Sequence, residues 1–164
     1  LVDVVSRGGV FLLSLTPKGD GSIPREEREI MQNMGAWMRA NGEAIYSTRP
    51  WRVHAEGPTV TRGLKRNNKG EEKEQWDWRK DFTPQDIRFT QKDDVIYAIA
   101  LAWPADGILK IHSLQQGSEE TIQSIHLLGR DQSLQWQQKK DFLEVSVPRV
   151  PLGTCAYVFK IQTE

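Results

Sequence analysis

The sequence holds a single cysteine, Cys155, so no internal disulfide framework can staple it. It also lacks an excess of charge: 22 Lys plus Arg are balanced by 22 Asp plus Glu. That balance gives no electrostatic pull toward nucleic acid or an anionic membrane surface, and neither is expected as a partner. Apolar runs are short, and none reaches the roughly 18 residues that a membrane-spanning helix needs. The chain has no initiating methionine and no signal-peptide pattern. It opens at Leu1-Val2-Asp3-Val4-Val5, already inside what reads as a structural element, so it is expected to be the carboxy-terminal portion of something longer. What is present suits a globular protein: 164 residues, 38% hydrophobic and 27% charged. That is enough for one domain, or a small domain plus a piece of another.

The two ends of the chain have different grammar. Leu1 to Ser6 is apolar and stops at Arg7-Gly8-Gly9, where a left-handed glycine would end a helix. Val10-Phe11-Leu12-Leu13-Ser14-Leu15 then runs apolar without alternation, the pattern of a strand buried on both faces of a parallel sheet. Thr16 to Ser22 is turn chemistry. Pro24 suits the first position of a helix, and Glu26, Glu27 and Glu29 favour its positive end. Ile30, Met34, Trp37 and Met38 make one apolar stripe, and Asn41-Gly42 supplies the stop. This is one β-α step of an α/β fold with the end of the preceding helix attached. Alone it is no domain, because a lone parallel strand has nothing to pair with.

Arg62 to Asp81 is the most polar stretch and reads as a solvated loop. From Asp86 the period becomes two. Ile87 and Phe89 alternate with Arg88 and Thr90. Val95, Tyr97, Ile99, Leu101 and Trp103 share one face, expected to be the core side, and Ala98, Ala100 and Ala102 share the other, expected to meet a covering element. Four more alternating runs, around Leu109, Ile125, Leu143 and Phe159, with a further one at Leu134-Trp136, are separated by turn signals. Short strands at that spacing imply an antiparallel β-sandwich. The fold class is therefore α+β. Residues 1–50 are a last β-α step, 51–85 a connecting polar segment and 86–164 the sandwich.

Several residues carry possible chemistry. Arg7-Gly8-Gly9 and Pro17 to Gly21 lack the spacing of a phosphate-binding loop, and structural turns are the better reading. His54, His112 and His126 form no metal-ligand pattern, and Cys155 reads as a small packed residue; neither metal nor cofactor is expected. Asp20 is the one acid in the loop after the apolar run, where an Asp-Gly turn is the simpler reading. Trp51, Trp76 and Trp78 are the residues most suited to stacking on sugar rings, with Trp76 and Trp78 the substrate-binding candidates. The alternative is that these indoles pack a long loop onto its neighbour.

Two long motifs then point to a family. The run Leu1 to Pro24, and the run Gly35-Ala36-Trp37-Met38-Arg39-Ala40-Asn41-Gly42-Glu43-Ala44-Ile45-Tyr46-Ser47-Thr48-Arg49-Pro50-Trp51, closely resemble the end of the catalytic barrel in α-L-fucosidases of glycoside hydrolase family 29. Asp86-Ile87-Arg88-Phe89-Thr90, Tyr97-Ala98-Ile99 and Trp103-Pro104 resemble the first strands of that family's carboxy-terminal β-sandwich. Ser14 and Thr16 stand where members often carry an amide and a glycine, which alters hydrogen bonding at the barrel mouth. The resemblance implies a (β/α)8-like barrel ending at residues 1–50, followed by the sandwich. It implies retaining hydrolysis of terminal α-L-fucose from oligosaccharides or glycoproteins, through an aspartate nucleophile and a second carboxyl group. Both groups come from earlier barrel strands in the family, so no residue here receives a catalytic role, and the 164-residue chain is expected to be inactive with the missing barrel as its intramolecular partner. A periplasmic or secreted location fits that activity. The competing expectation is a carbohydrate-binding or scaffolding sandwich without hydrolysis.

Overall fold

The computed structural model describes residues 1–59, 81–130, 133–151, 153 and 156–164, with the backbone of two short strands at 64–66 and 72–74. Trp76, Trp78 and Cys155 lie outside the described residues. Among the described residues, two helices, α1 (Val2–Ser6) and α2 (Arg25–Asn41), precede ten strands. These are β1 (Arg49–Glu56), β2 (Leu64–Arg66), β3 (Glu72–Glu74), β4 (Ile87–Lys92), β5 (Val95–Ala100), β6 (Ile108–Ile111), β7 (Ile122–Leu127), β8 (Trp136–Gln138), β9 (Leu143–Ser146) and β10 (Tyr157–Thr163).

The alternating half forms the sandwich that its period predicts. One sheet has five strands in the order β1-β4-β5-β10-β7, and the facing sheet has three, β6-β9-β8. The strand pairs within both sheets are antiparallel. Between the sheets lie Ile87, Phe89, Ile96, Ala98, Ala100, Leu109, Ile111, Ile125, Leu143, Val145, Phe159 and Ile161, all buried. The chain crosses from one sheet to the other at Ser133–Gln138. Ser133 bridges His126 and Leu134 N–H donates to Ile125 O at 2.8 Å, before Trp136 joins β9.

Strand β5 reverses the expected sides. Its small face, Ala98 and Ala100 with Ile96, meets the sandwich core, while Tyr97 and Ile99 face outward. The outward face is still buried, because a second apolar cluster of Ala44, Tyr97, Ile99 and Val158 is covered by Val2, Trp37 and Ile45 from the amino-terminal segments. Alternation reports that two faces differ but not which neighbour each one meets. Bulky Phe89 and Phe159 from the flanking strands fill the core opposite the alanines, so the small face fits there.

Two further differences concern the amino-terminal half. Arg49–Glu56, which straddles residue 50, is a strand at the sheet edge, paired with β4. Trp51, Val53 and Ala55 do alternate with Arg52, His54 and Glu56, so a period of two was present; Pro50 near the start is tolerated because the strand is an edge. In contrast, Val10–Leu15 forms no strand. Val10 is 93% and Leu12 90% exposed, because the described residues hold no parallel neighbour to receive them.

The helices end as their glycines suggest, by two means. At α1, Gly8 has φ +76°, its N–H donates to Val5 O and that of Gly9 to Val4 O, both at 2.9 Å, which satisfies the last carbonyls. At α2, Gly42 keeps a right-handed φ of −61° and leads into a 3-10 turn over Gly42–Ala44. Glycine is needed there for closeness instead, since a Cβ would lie 3.0 Å from the Tyr46 ring. Only the carboxy-terminal part of α2 docks: Trp37 is half-buried and its Nε1–H donates to Ala156 O at 2.7 Å, whereas Ile30 and Met31 are exposed.

Candidate functional site

The residues singled out by sequence do not converge. Trp51 is buried in the sandwich core, its ring 5.0 Å from Phe89, with the Arg52 guanidinium 4.7 Å from its centroid. It packs and is not an exposed platform. Asp20 accepts from the backbone N–H (2.9 Å) and hydroxyl (2.7 Å) of Ser22, so it shapes its own turn. His112 lies at an exposed position, with Nδ1 3.0 Å from Asp141 O. His126 lines a groove on the outer face of the five-stranded sheet. Among the described residues, no three His, Cys, Asp or Glu side chains group in a way that could hold a metal ion.

What the fold does bring together is a buried polar node where α1 meets the sheet. Arg88 and Thr90 point to the outer face of β4, opposite Ile87 and Phe89, and both are fully buried. Arg88 forms an ion pair with Asp3 of α1, donates to Thr59 Oγ1 at 2.8 Å and to Ile87 O at 3.2 Å. Thr90 donates to Ala44 O at 2.7 Å. Burial works to raise the Asp3 carboxyl, and the hydrogen bond and charge of Arg88, with Arg7, outweigh it and hold it below the usual carboxylate range. Asp86 is a second hub: it accepts from Thr59 N–H (2.7 Å), Thr83 N–H (2.8 Å) and Thr83 Oγ1 (2.9 Å). Its burial would raise it, and those hydrogen bonds hold it low instead. His54 sits beside the node with a buried Nε2 that has no hydrogen-bond partner among the described residues. Burial first, then the charges of Arg7 and Arg88, push its pKa below the ordinary value, against a smaller upward pull from Asp3.

Apart from His54, these groups are satisfied by one another, and among the described residues they leave no pair of free carboxyls facing a cleft. Their work is to hold the amino-terminal segments on the sheet. Two open grooves of about 750 and about 450 Å3 flank the docked end of α2. Sequence reasoning missed the node. Its only signal was Arg88 and Thr90 on the polar phase of a strand whose other face is apolar, which reads equally well as a solvated face.

Comparison with known proteins matches the two halves to parts of one family. Residues 79–162 match the alpha-L-fucosidase C-terminal domain, and residues 1–43 match the alpha-L-fucosidase family description. The chain belongs to the α-L-fucosidase family. It is 34% identical over 157 residues to tissue alpha-L-fucosidase of Rattus norvegicus, covering 94% of this chain and 28% of that protein. With the Homo sapiens tissue enzyme it shares 32% over 152 residues, covering 92% and 27%. Its fold superposes on the Thermotoga maritima alpha-fucosidase crystal structure in complex with a mechanism-based inhibitor, with a TM-score of 0.71 and 28% identity over 98% of this chain and 32% of that one. The chain thus spans about 28% of the length of the rat fucosidase. The fucosidase sandwich and the segment that precedes it are the parts it represents.

Proposed function

We propose that this chain works as the carboxy-terminal part of an α-L-fucosidase, a retaining glycoside hydrolase that releases terminal α-L-fucose from oligosaccharides or glycoproteins. The observation that carries the reading is the order of the two family matches on one chain, residues 1–43 and then 79–162. Residues 1–50 are assigned to the end of the catalytic barrel, 51–85 to a connector that also supplies most of edge strand β1, and 86–164 to the sandwich. The exposed Val10–Leu15 run supports this, since strands buried on both faces of a parallel sheet read as such continuous apolar runs.

Retaining hydrolysis needs two carboxyl groups about 5–5.5 Å apart across the scissile bond, one as nucleophile and one as acid then base. Neither role is assigned to a residue of this chain. Its contribution is mechanical: the sheet's outer face, the Arg88–Asp3 ion pair and the Trp37 hydrogen bond fix α1 and the end of α2 in place. Of these, α1 lies just before Val10–Leu15 in the chain, so the sandwich helps set where that run enters the barrel.

Assaying an aryl α-L-fucoside tests the proposal. The full-length enzyme should release the aryl alcohol with retention at the anomeric carbon, and the 164-residue chain should not. Turnover by the chain alone, or none by the full-length enzyme, would overturn it.

A further inference from the structure

The larger groove lies between the docked end of α2 and the outer face of β7 and β10, and it is rich in hydrogen-bond donors. Arg39, Glu43, Tyr46, His126, Arg130 and Lys160 line it. In a chain whose total charge is zero, three permanent cations here face one carboxylate among the described residues. Glu43 is taken by Lys160, at 3.2 Å, and Lys160 stands directly opposite His126 in the β10–β7 ladder. That leaves Arg39 and Arg130 without an ion pair among the described residues. Arg39 sits in the last turn of α2, where the helix dipole favours a cation. Arg130 has no such reason. Its Nε is buried with no hydrogen-bond partner among the described residues, and its Nη2 makes one long contact of 3.5 Å to Val150 O. Among the described residues neither guanidinium is neutralised, so the groove keeps a positive charge that an anion would offset. The exposed ring of Tyr46, beside the groove, presents an apolar face.

We propose that this groove binds an oxyanion carried on a saccharide, a sulfate ester or a carboxylate. Arg130 and Arg39 grip the anion and Tyr46 takes the sugar ring. The guanidinium fork suits either anion, since each offers two oxygens in a plane. The groove's volume of about 750 Å3 has room for more than the anion itself. The choice of a saccharide as carrier rests on the fucosidase reading, while the anion site rests on the groove alone.

Amide-resonance titration of the 164-residue chain tests this. The probes are a sulfated fuco-oligosaccharide, its desulfated counterpart, a uronate-bearing oligosaccharide of the same length, and sodium sulfate. An anionic oligosaccharide should shift resonances around Arg39, His126 and Arg130 and bind about tenfold or more tighter than the desulfated one, as expected for a charge-assisted contact. Whichever anion binds tighter names the natural group. Arg39→Ala should weaken binding about tenfold with the thermal midpoint unchanged, and Arg130→Gln about tenfold with a midpoint no lower than that of the native chain. Equal affinity for the desulfated sugar, or variants that bind normally, would overturn the site. Sodium sulfate binding as tightly as the oligosaccharides would overturn its saccharide part. No hydrolysis is measured, so a failed fucoside assay sinks the enzyme assignment and leaves this binding result to stand or fall by itself.

Discussion

The sandwich and the segment before it are held together by different physics. From Arg49 onward the chain buries its apolar side chains between two sheets of its own, and Phe159, Ile161, Ile125 and Leu143 are wholly buried. Before Arg49 it buries almost nothing by itself: α2 has no fully buried residue, and Val10 and Leu12 are almost fully exposed. What fixes the amino-terminal segments is a seam of polar anchors and a thin apolar cluster on the back of the sheet. The lesson is that one chain can carry a self-sufficient core and a region that leaves apolar side chains in solvent. Mutations should separate the two regions sharply.

The largest contrast comes from truncating apolar side chains in each region. Phe159→Ala removes a ring stacked 6.4 Å from Trp103 at the centre of the core. It should cost about 4 kcal/mol and lower the thermal midpoint by roughly 10 °C. Val10→Ser should change stability by less than about 0.5 kcal/mol, because the side chain is already in solvent. Denaturant unfolding of both variants checks the pair. Similar losses would mean that the two regions share one core.

Next is the seam. Arg88→Ala leaves Asp3 and Thr59 without their buried partner and should cost about 3 kcal/mol, as broken buried ion pairs do. Amide exchange should then speed up in α1 ahead of the sandwich strands, which would show that docking fails before the core does. The sign of the pH effect follows from Asp3. Its carboxyl is held below its unfolded value, so its contribution is present above about pH 4 and is lost as pH falls through the lower folded value. A variant that unfolds globally, with α1 and β10 exchanging together, would refute a separable seam.

Smaller again is Trp37→Phe. It keeps most of the apolar contact of α2 with the sheet but removes the donor to Ala156 O. The expected cost is about 1 kcal/mol. It should appear as faster exchange at the end of α2, with β4 and β5 unaffected.

Legibility divides along the same line. Strands β4 to β10 could be read because their two faces carry side chains of different size or polarity, which prints a period of two. The same rule fails where both faces are buried. Strand β5 shows bulky and small sides, yet its bulky Tyr97 and Ile99 meet the helices and its alanines meet the core. Arg88 and Thr90 obey the pattern of exposed residues while being buried, because they are satisfied by Asp3, Thr59 and Ala44, which come from far along the chain. Partners of that kind leave no local trace. The family resemblance was legible because Gly35 to Trp51 keeps both glycine and aromatic positions in place over one long run. The polar groove was not, since its lining comes from α2, β7 and β10.

The finest test of the seam is its response to mild acid, through His54. Its imidazole is partly buried on β1, with the charges of Arg7 and Arg88 acting on it and Asp3 the one opposing anion among the described residues. Burial and the two guanidinium charges favour the neutral ring, so the folded pKa lies below the unfolded value of about 6.5. The unfolded chain therefore binds the proton more readily. Stability must fall as pH drops below about 6.5, until the folded-state ring also protonates. This window lies above the one set by Asp3, so the two can be told apart in one titration. His54→Gln removes the titrating group while keeping a polar side chain. In denaturant unfolding between pH 7.5 and pH 5, the native chain should lose stability that the variant keeps, with α1 the first element to exchange. If both lose stability in parallel, His54 is not a member of the seam, and the acid sensitivity belongs to the carboxylates alone.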